Sequence, residues 1–75
     1  MIKLNKALFR ALMAEHNDTQ RTLSSMMGIS EQTFSAKLNE KGGAAFNKAE
    51  MSFFKKRYNL SATKMDMIFF SNQVS

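Results

Sequence analysis

Thr19-Gln20-Arg21-Thr22-Leu23-Ser24-Ser25-Met26-Met27-Gly28-Ile29-Ser30-Glu31-Gln32-Thr33-Phe34-Ser35-Ala36-Lys37-Leu38-Asn39 is the stretch whose reading decides the fold. It breaks once, at Gly28, the residue type best able to take a left-handed conformation at a helix end. Before the break, Leu23 and Met27 stand four apart on one helical face; after it, Phe34 and Leu38 repeat the spacing. Asp18 or Thr19 caps the first segment and Ser30 the second, because short polar side chains answer the unpaired N–H groups of a first turn. Ile29 is the apolar plug between them. Two short helices joined at a glycine, each with its own start signal, form a helix-turn-helix pattern, whose second helix characteristically enters the DNA major groove.

Working outward, residues 2–15 predict a first helix. Leu4, Leu8, Ala11 and Leu12 recur at helical spacing, with Lys3, Lys6, Arg10 and Glu15 left for solvent. His16-Asn17-Asp18 ends it, since such side chains offer the backbone bonds that compete with helix. Residues 39–45 read as a loop around Gly42 and Gly43. A fourth helix is expected from Phe46 or Asn47 to Tyr58, with Met51, Phe54 and Tyr58 three and four apart. Ser61 starts a fifth, running to about Phe70, with Leu60, Met65, Ile68 and Phe69 facing inward. Residues 71–75 form a polar, frayed tail. Nothing alternates cleanly as a strand. The expectation is one all-α, five-helix domain spanning the 75 residues.

Composition narrows the function. The chain has no cysteine and one histidine, which excludes disulfides and thiolate metal sites and speaks against a zinc site. No nucleophile–base set, glycine-rich phosphate loop or carboxylate pair stands out, so an enzyme is not expected, nor a cofactor. No apolar run approaches the ~20 residues needed to cross a bilayer, and the N-terminus lacks the apolar block of a signal peptide. A cytoplasmic location is therefore expected. The net charge of +5 is uneven. Lys3, Lys6, Arg10, Arg21 and Lys37 are nearly balanced by Glu15, Asp18, Glu31 and Glu40. Beyond residue 40, Lys41, Lys48, Lys55, Lys56, Arg57 and Lys64 face only Glu50 and Asp66. A basic half suits a polyanionic partner, although a solvated surface accounts for charge alone.

The string Thr19-Gln20, Leu23, Met27-Gly28-Ile29-Ser30, Thr33-Phe34-Ser35, Leu38-Asn39 resembles the five-helix DNA-binding domain of phage repressors and Cro proteins, the XRE-type family. Phe46, Glu50, Arg57-Tyr58-Asn59-Leu60-Ser61 and Ile68-Phe69-Phe70 resemble its small single-domain members from phages and prophages of Gram-positive bacteria. The resemblance implies a Cro-like homodimer that binds operator DNA and regulates transcription. There are departures: Ser24 stands where the family has alanine, Asp18 where an apolar residue is common, and Ala36 where a long polar reader is common.

On that reading, Gln32 pairs with adenine through its amide, and Glu31 accepts from cytosine or simply complements the helix dipole. Ser35 donates to a base or phosphate, and Ala36 meets a thymine methyl or lets the helix approach closely. Gln20, Ser30, Lys37, Asn39 and Lys41 hold phosphates, Gln20 and Ser30 at helix starts and the others around the end of the reading helix. Lys55-Lys56-Arg57 reads as a solvated face at a helix C-terminus. Phe69 and Phe70 are adjacent, so a helix cannot bury both, and they are the candidate dimer contact. Met13, Met27, Met51 and Met65 read as core filler. Two rivals remain open: a protein-interaction module that keeps the same fold, and an antitoxin.

Overall fold

Every helix begins at a side chain that closes its first turn. In the computed structural model, which describes residues 2–72, the five helices are α1 Lys6–Glu15, α2 Gln20–Met27, α3 Glu31–Leu38, α4 Lys48–Tyr58 and α5 Ala62–Phe69. Asn5, Thr19, Ser30, Asn47 and Ser61 precede them in extended backbone, and each accepts a hydrogen bond from the backbone N–H three residues on. A 3-10 turn, Lys41–Gly43, separates α3 from α4.

Three of the helices also end alike. Asn17, Gly28 and Asn59 take left-handed backbone, with φ of 57°, 73° and 51°. The next residue then folds its N–H back to a carbonyl inside the helix: Asp18 to Met13 at 2.8 Å, Ile29 to Ser24 at 3.0 Å, Leu60 to Lys55 at 3.0 Å. The residue in that position normally packs apolar surface against the helix it follows. Leu60 is buried and Ile29 half-buried.

Three expectations about boundaries change. The first helix starts at Lys6 rather than residue 2, because the Asn5 N–H donates to the Ile68 carbonyl at 2.7 Å while its side chain caps α1. Upstream, Ile2–Lys3 (β1) pairs antiparallel with Ser71–Asn72 (β2), so part of the tail expected to fray is paired. Residues 73–75 lie outside the described residues. The cap of α2 is Thr19, which leaves Asp18 for another task.

The core is built from phenylalanine. Phe9, Phe34 and Phe54 are wholly buried, with Leu23, Leu38 and Ile68. Phe9 meets Phe54 edge-on at 4.9 Å and Phe46 at 5.7 Å, while Phe54 stacks on Phe69 at 5.9 Å and 18°. Phe34–Leu38 and Ile68–Phe69 face inward as their spacing predicts, but α1 does not. Its buried residues are Phe9, Leu12 and Met13, with Ala11 exposed and Leu4 and Leu8 only half-buried. A buried phenylalanine removes more apolar area from water than any residue on the expected face, and α1 turns to seat it. The buried Ser24 hydroxyl is satisfied by the Arg21 carbonyl at 3.0 Å.

Asp18 is the polar exception at a helix end. It is 8 % exposed. Arg57 grips its carboxylate through Nε at 2.9 Å and Nη2 at 2.5 Å, and the Tyr58 hydroxyl donates at 2.6 Å. Arg57 stays exposed with Lys55 and Lys56, but its inward side fastens the α1–α2 connection to the end of α4. The Arg57 hydrogen bonds, aided by that of Tyr58, hold the Asp18 carboxyl below its usual range against the opposing effect of burial. Burial, together with the bond to Asp18, pushes the Tyr58 hydroxyl well above its ordinary value.

Arg57→Ala leaves a buried carboxylate with the Tyr58 hydroxyl alone and should cost about 3 kcal/mol in urea denaturation, whereas Asp18→Asn costs less, because the Arg57 head can still reach water. Since folding lowers the Asp18 pKa, its contribution is present above the unfolded carboxylate value of about 3.9 and fades as the pH falls through the lower folded value. The stability gap between the native chain and Asp18→Asn should accordingly narrow below about pH 4, measured by denaturant midpoints across pH.

Candidate nucleic-acid interface

Helix α3 is held from behind and open in front. Phe34 and Leu38 bury one side in the core, while Glu31, Gln32 and Thr33 in the first turn are exposed. Ser30 fixes that front end: its Oγ accepts from the Thr33 N–H at 3.0 Å and donates to Thr33 Oγ1 at 2.9 Å. Ser30 and Thr33 thus answer each other, and Glu31 and Gln32 project from a preset turn. Glu31 also complements the positive end of the helix dipole. One turn on, Ser35 and Ala36 are half-buried beside the exposed strip. Gln20 is the first residue of α2, half-buried, directly after the Thr19 cap.

The expected phosphate contacts are not equally available. Lys37 is withdrawn: its Nζ lies 2.6 Å from Glu50 Oε2, with both side chains largely buried. Glu50 also uses Oε1, which accepts from the Asn47 N–H at 2.9 Å in a reciprocal cap at the start of α4. One carboxylate therefore both closes α4 and ties it to α3. Lys37, expected to hold a phosphate, thus has its charge matched within the fold. Asn39 is engaged as well, its amide donating to the Ser35 carbonyl at 2.9 Å and to Ser35 Oγ at 3.3 Å. Lys41 stays exposed in the 3-10 turn, beside Gly42 and Gly43 with φ of 61° and 83°.

Sequence reasoning left Lys6 to solvent. The fold carries it to the far end of α3, where its Nζ lies 3.1 Å from Asn39 Oδ1. No local signal announces a pairing between residues so distant in the chain.

The two candidate dimer residues separate. Phe69 is core, at 8 % exposed, and is removed from the contact surface; Phe70 is 44 % exposed, with Met67 at 49 % nearby on α5. Phe70 borders two shallow hollows, one shared with Leu4, Phe46 and Met51, the other with Lys48, Lys55 and Asp66. Among the described residues, no cluster of three His, Cys, Asp or Glu could hold a metal ion, and no helix is long and apolar enough to cross a membrane.

Glu50→Ala removes the reciprocal half of the α4 capping box and the partner of Lys37 together, while Asn47 still caps the helix. It should cost about 1–2 kcal/mol, more than the ~1 kcal/mol expected of Ser30→Ala, with both read from urea midpoints. No protein-family model matches the chain, and neither does any curated protein or solved structure.

Proposed function

We propose that this chain is a sequence-specific, double-stranded-DNA-binding regulator of transcription, a helix-turn-helix repressor of the Cro-like kind that works as a homodimer. The observation that carries the reading is the exposed polar front of α3, with Ser30, Glu31, Gln32 and Thr33 presented from a helix whose other face is anchored by Phe34 and Leu38. A rod about 10–12 Å across fits the major groove, and its N-terminal residues are the ones that reach base edges. Gln32 reads adenine, Glu31 and Ser35 contribute at neighbouring pairs, and Ala36 sits close to the bases. Gln20, Ser30 and Lys41 meet the sugar-phosphate backbone. Two copies joined through Phe70 and Met67 bind half-sites about one helical turn apart and exclude polymerase from the promoter.

A second reading, a protein-interaction module with the same fold, is favoured by one specific feature. The front of α3 carries an acid, Glu31, while the nearby cation Lys37 is neutralised by Glu50. Gel-shift titration against the DNA flanking the chain's own gene, at low and high salt, separates the two. Sequence-selective, salt-sensitive binding supports the regulator. A folded dimer that ignores DNA supports the module.

For the regulator, Gln32→Ala should reduce discrimination at one base-pair position by about 1–3 kcal/mol, while Lys41→Ala should weaken binding to all sequences alike. Equal effects of both substitutions on specific and random duplexes would show the roles to be wrongly assigned. Phe70→Ser should move the chain from dimer to monomer in sedimentation while leaving its melting temperature nearly unchanged, because Phe70 is outside the core.

A further inference from the structure

Two lysines stand near the end of α3, Lys37 in its last turn and Lys6 from α1, and the fold treats them oppositely. Lys37 meets a carboxylate, Glu50, so its charge is matched. Lys6 meets a neutral amide, Asn39, so its charge is held in place but not cancelled. The amide has little freedom of its own. Its nitrogen is committed to the Ser35 carbonyl and hydroxyl, which turns Oδ1 toward the lysine. An ammonium carries three N–H donors, and one bond to Asn39 leaves two for another acceptor.

The neighbourhood is braced as well. The Leu4 N–H donates to Glu40 Oε2 at 3.4 Å, joining the approach to α1 with the residue that follows Asn39. Glu40 is the acid nearest in sequence to this cluster, and that bond turns one of its carboxylate oxygens toward the Leu4 N–H, which positions the charge without cancelling it. Lys41, the next residue, is exposed. The end of α3 is thus bordered by Lys6 from α1 and Lys41 from the following turn.

We propose that Lys6 is a phosphate-contacting residue in the complex with duplex DNA, and that Asn39 is a positioning residue that aims it. The proposal rests on the DNA-binding reading above and adds a residue from a helix outside the helix-turn-helix. The chemistry recognised is a phosphodiester oxygen, which takes N–H donors from an ammonium without regard to base sequence.

The test is the salt dependence of binding to a short mixed-sequence duplex, measured by fluorescence anisotropy on the intact chain. Each phosphate neutralised by a cation contributes about 0.9 to the slope of log K against log salt. Lys6→Ala should flatten the slope by about that amount, and Lys6→Arg should restore it. Lys64→Ala should leave the slope alone, because Lys64 borders a separate hollow, with Leu8, Ala11, Glu15 and His16, that includes neither Lys6 nor Asn39. Asn39→Ala should weaken binding in the native chain but add nothing in the Lys6→Ala background, as expected of a residue acting through its partner. Thermal melts check that each variant is folded.

An unchanged slope for Lys6→Ala, in a chain that otherwise binds with steep salt dependence, overturns the phosphate contact while leaving the DNA reading intact. Additive losses for Lys6→Ala and Asn39→Ala overturn the positioning role. A native chain that binds no duplex at either salt concentration overturns the inference and the DNA reading together.

Discussion

Burial of aromatic rings is the constraint on which the rest of this small domain depends. A chain of 75 residues buries a modest share of its surface, and its stability is correspondingly narrow. Phenylalanine removes much apolar area per residue, and edge-on ring pairs add to that. Phe9 from α1, Phe34 from α3, Phe46 before α4, Phe54 within it and Phe69 from α5 share one centre. Each helix in that set is therefore placed by the same cluster. The exposed front of α3 is steady because its back, Phe34 and Leu38, is part of the core.

Polar groups refine what the rings assemble. The bond set on Asp18 joins the α1–α2 connection to α4, and the Glu50 pair joins α4 to α3. Replacing such groups by apolar ones can be neutral, but removing one partner leaves its mate stranded. Asp18 shows the logic well. It occupies a position that usually packs apolar surface, so the fold must bring it Arg57 and Tyr58 from 39 and 40 positions away.

What could be read from the chain follows from the range of the forces involved. The caps at Thr19, Ser30 and Ser61, the glycine end at Gly28 and the pairs Leu23–Met27 and Phe34–Leu38 are local, and local chemistry suffices for them. The orientation of α1 was not legible. Leu8, Ala11 and Leu12 make as regular a stripe as Phe9, Leu12 and Met13, and only the partners across the core favour the second. The pairing of residues 2–3 with 71–72 was hidden for the same reason; the Asn5 cap is as local as the others, but the Leu4–Leu8 spacing masked it. The fates of the basic residues around α3 were hidden too. That Lys37 is neutralised while Lys6 is aimed depends on Glu50 and Asn39, which no spacing rule links to them. Phe69 and Phe70 were legible as a pair that cannot both be buried, but which one turns outward is settled by the ring cluster.

The tight endings at Asn17, Gly28 and Asn59 carry a consequence for how such a chain can change over generations. Each joins two helices through one left-handed residue and a folded-back N–H, leaving no slack. An inserted or deleted residue there would rotate the next helix out of register with the core. The segment from residue 39 to 47 is built differently, with a 3-10 turn and two exposed glycines. A change of length is better absorbed at the exposed Lys41–Gly43 turn than at those three tight joints, and it would alter the flank of α3 while the helices beneath keep their places.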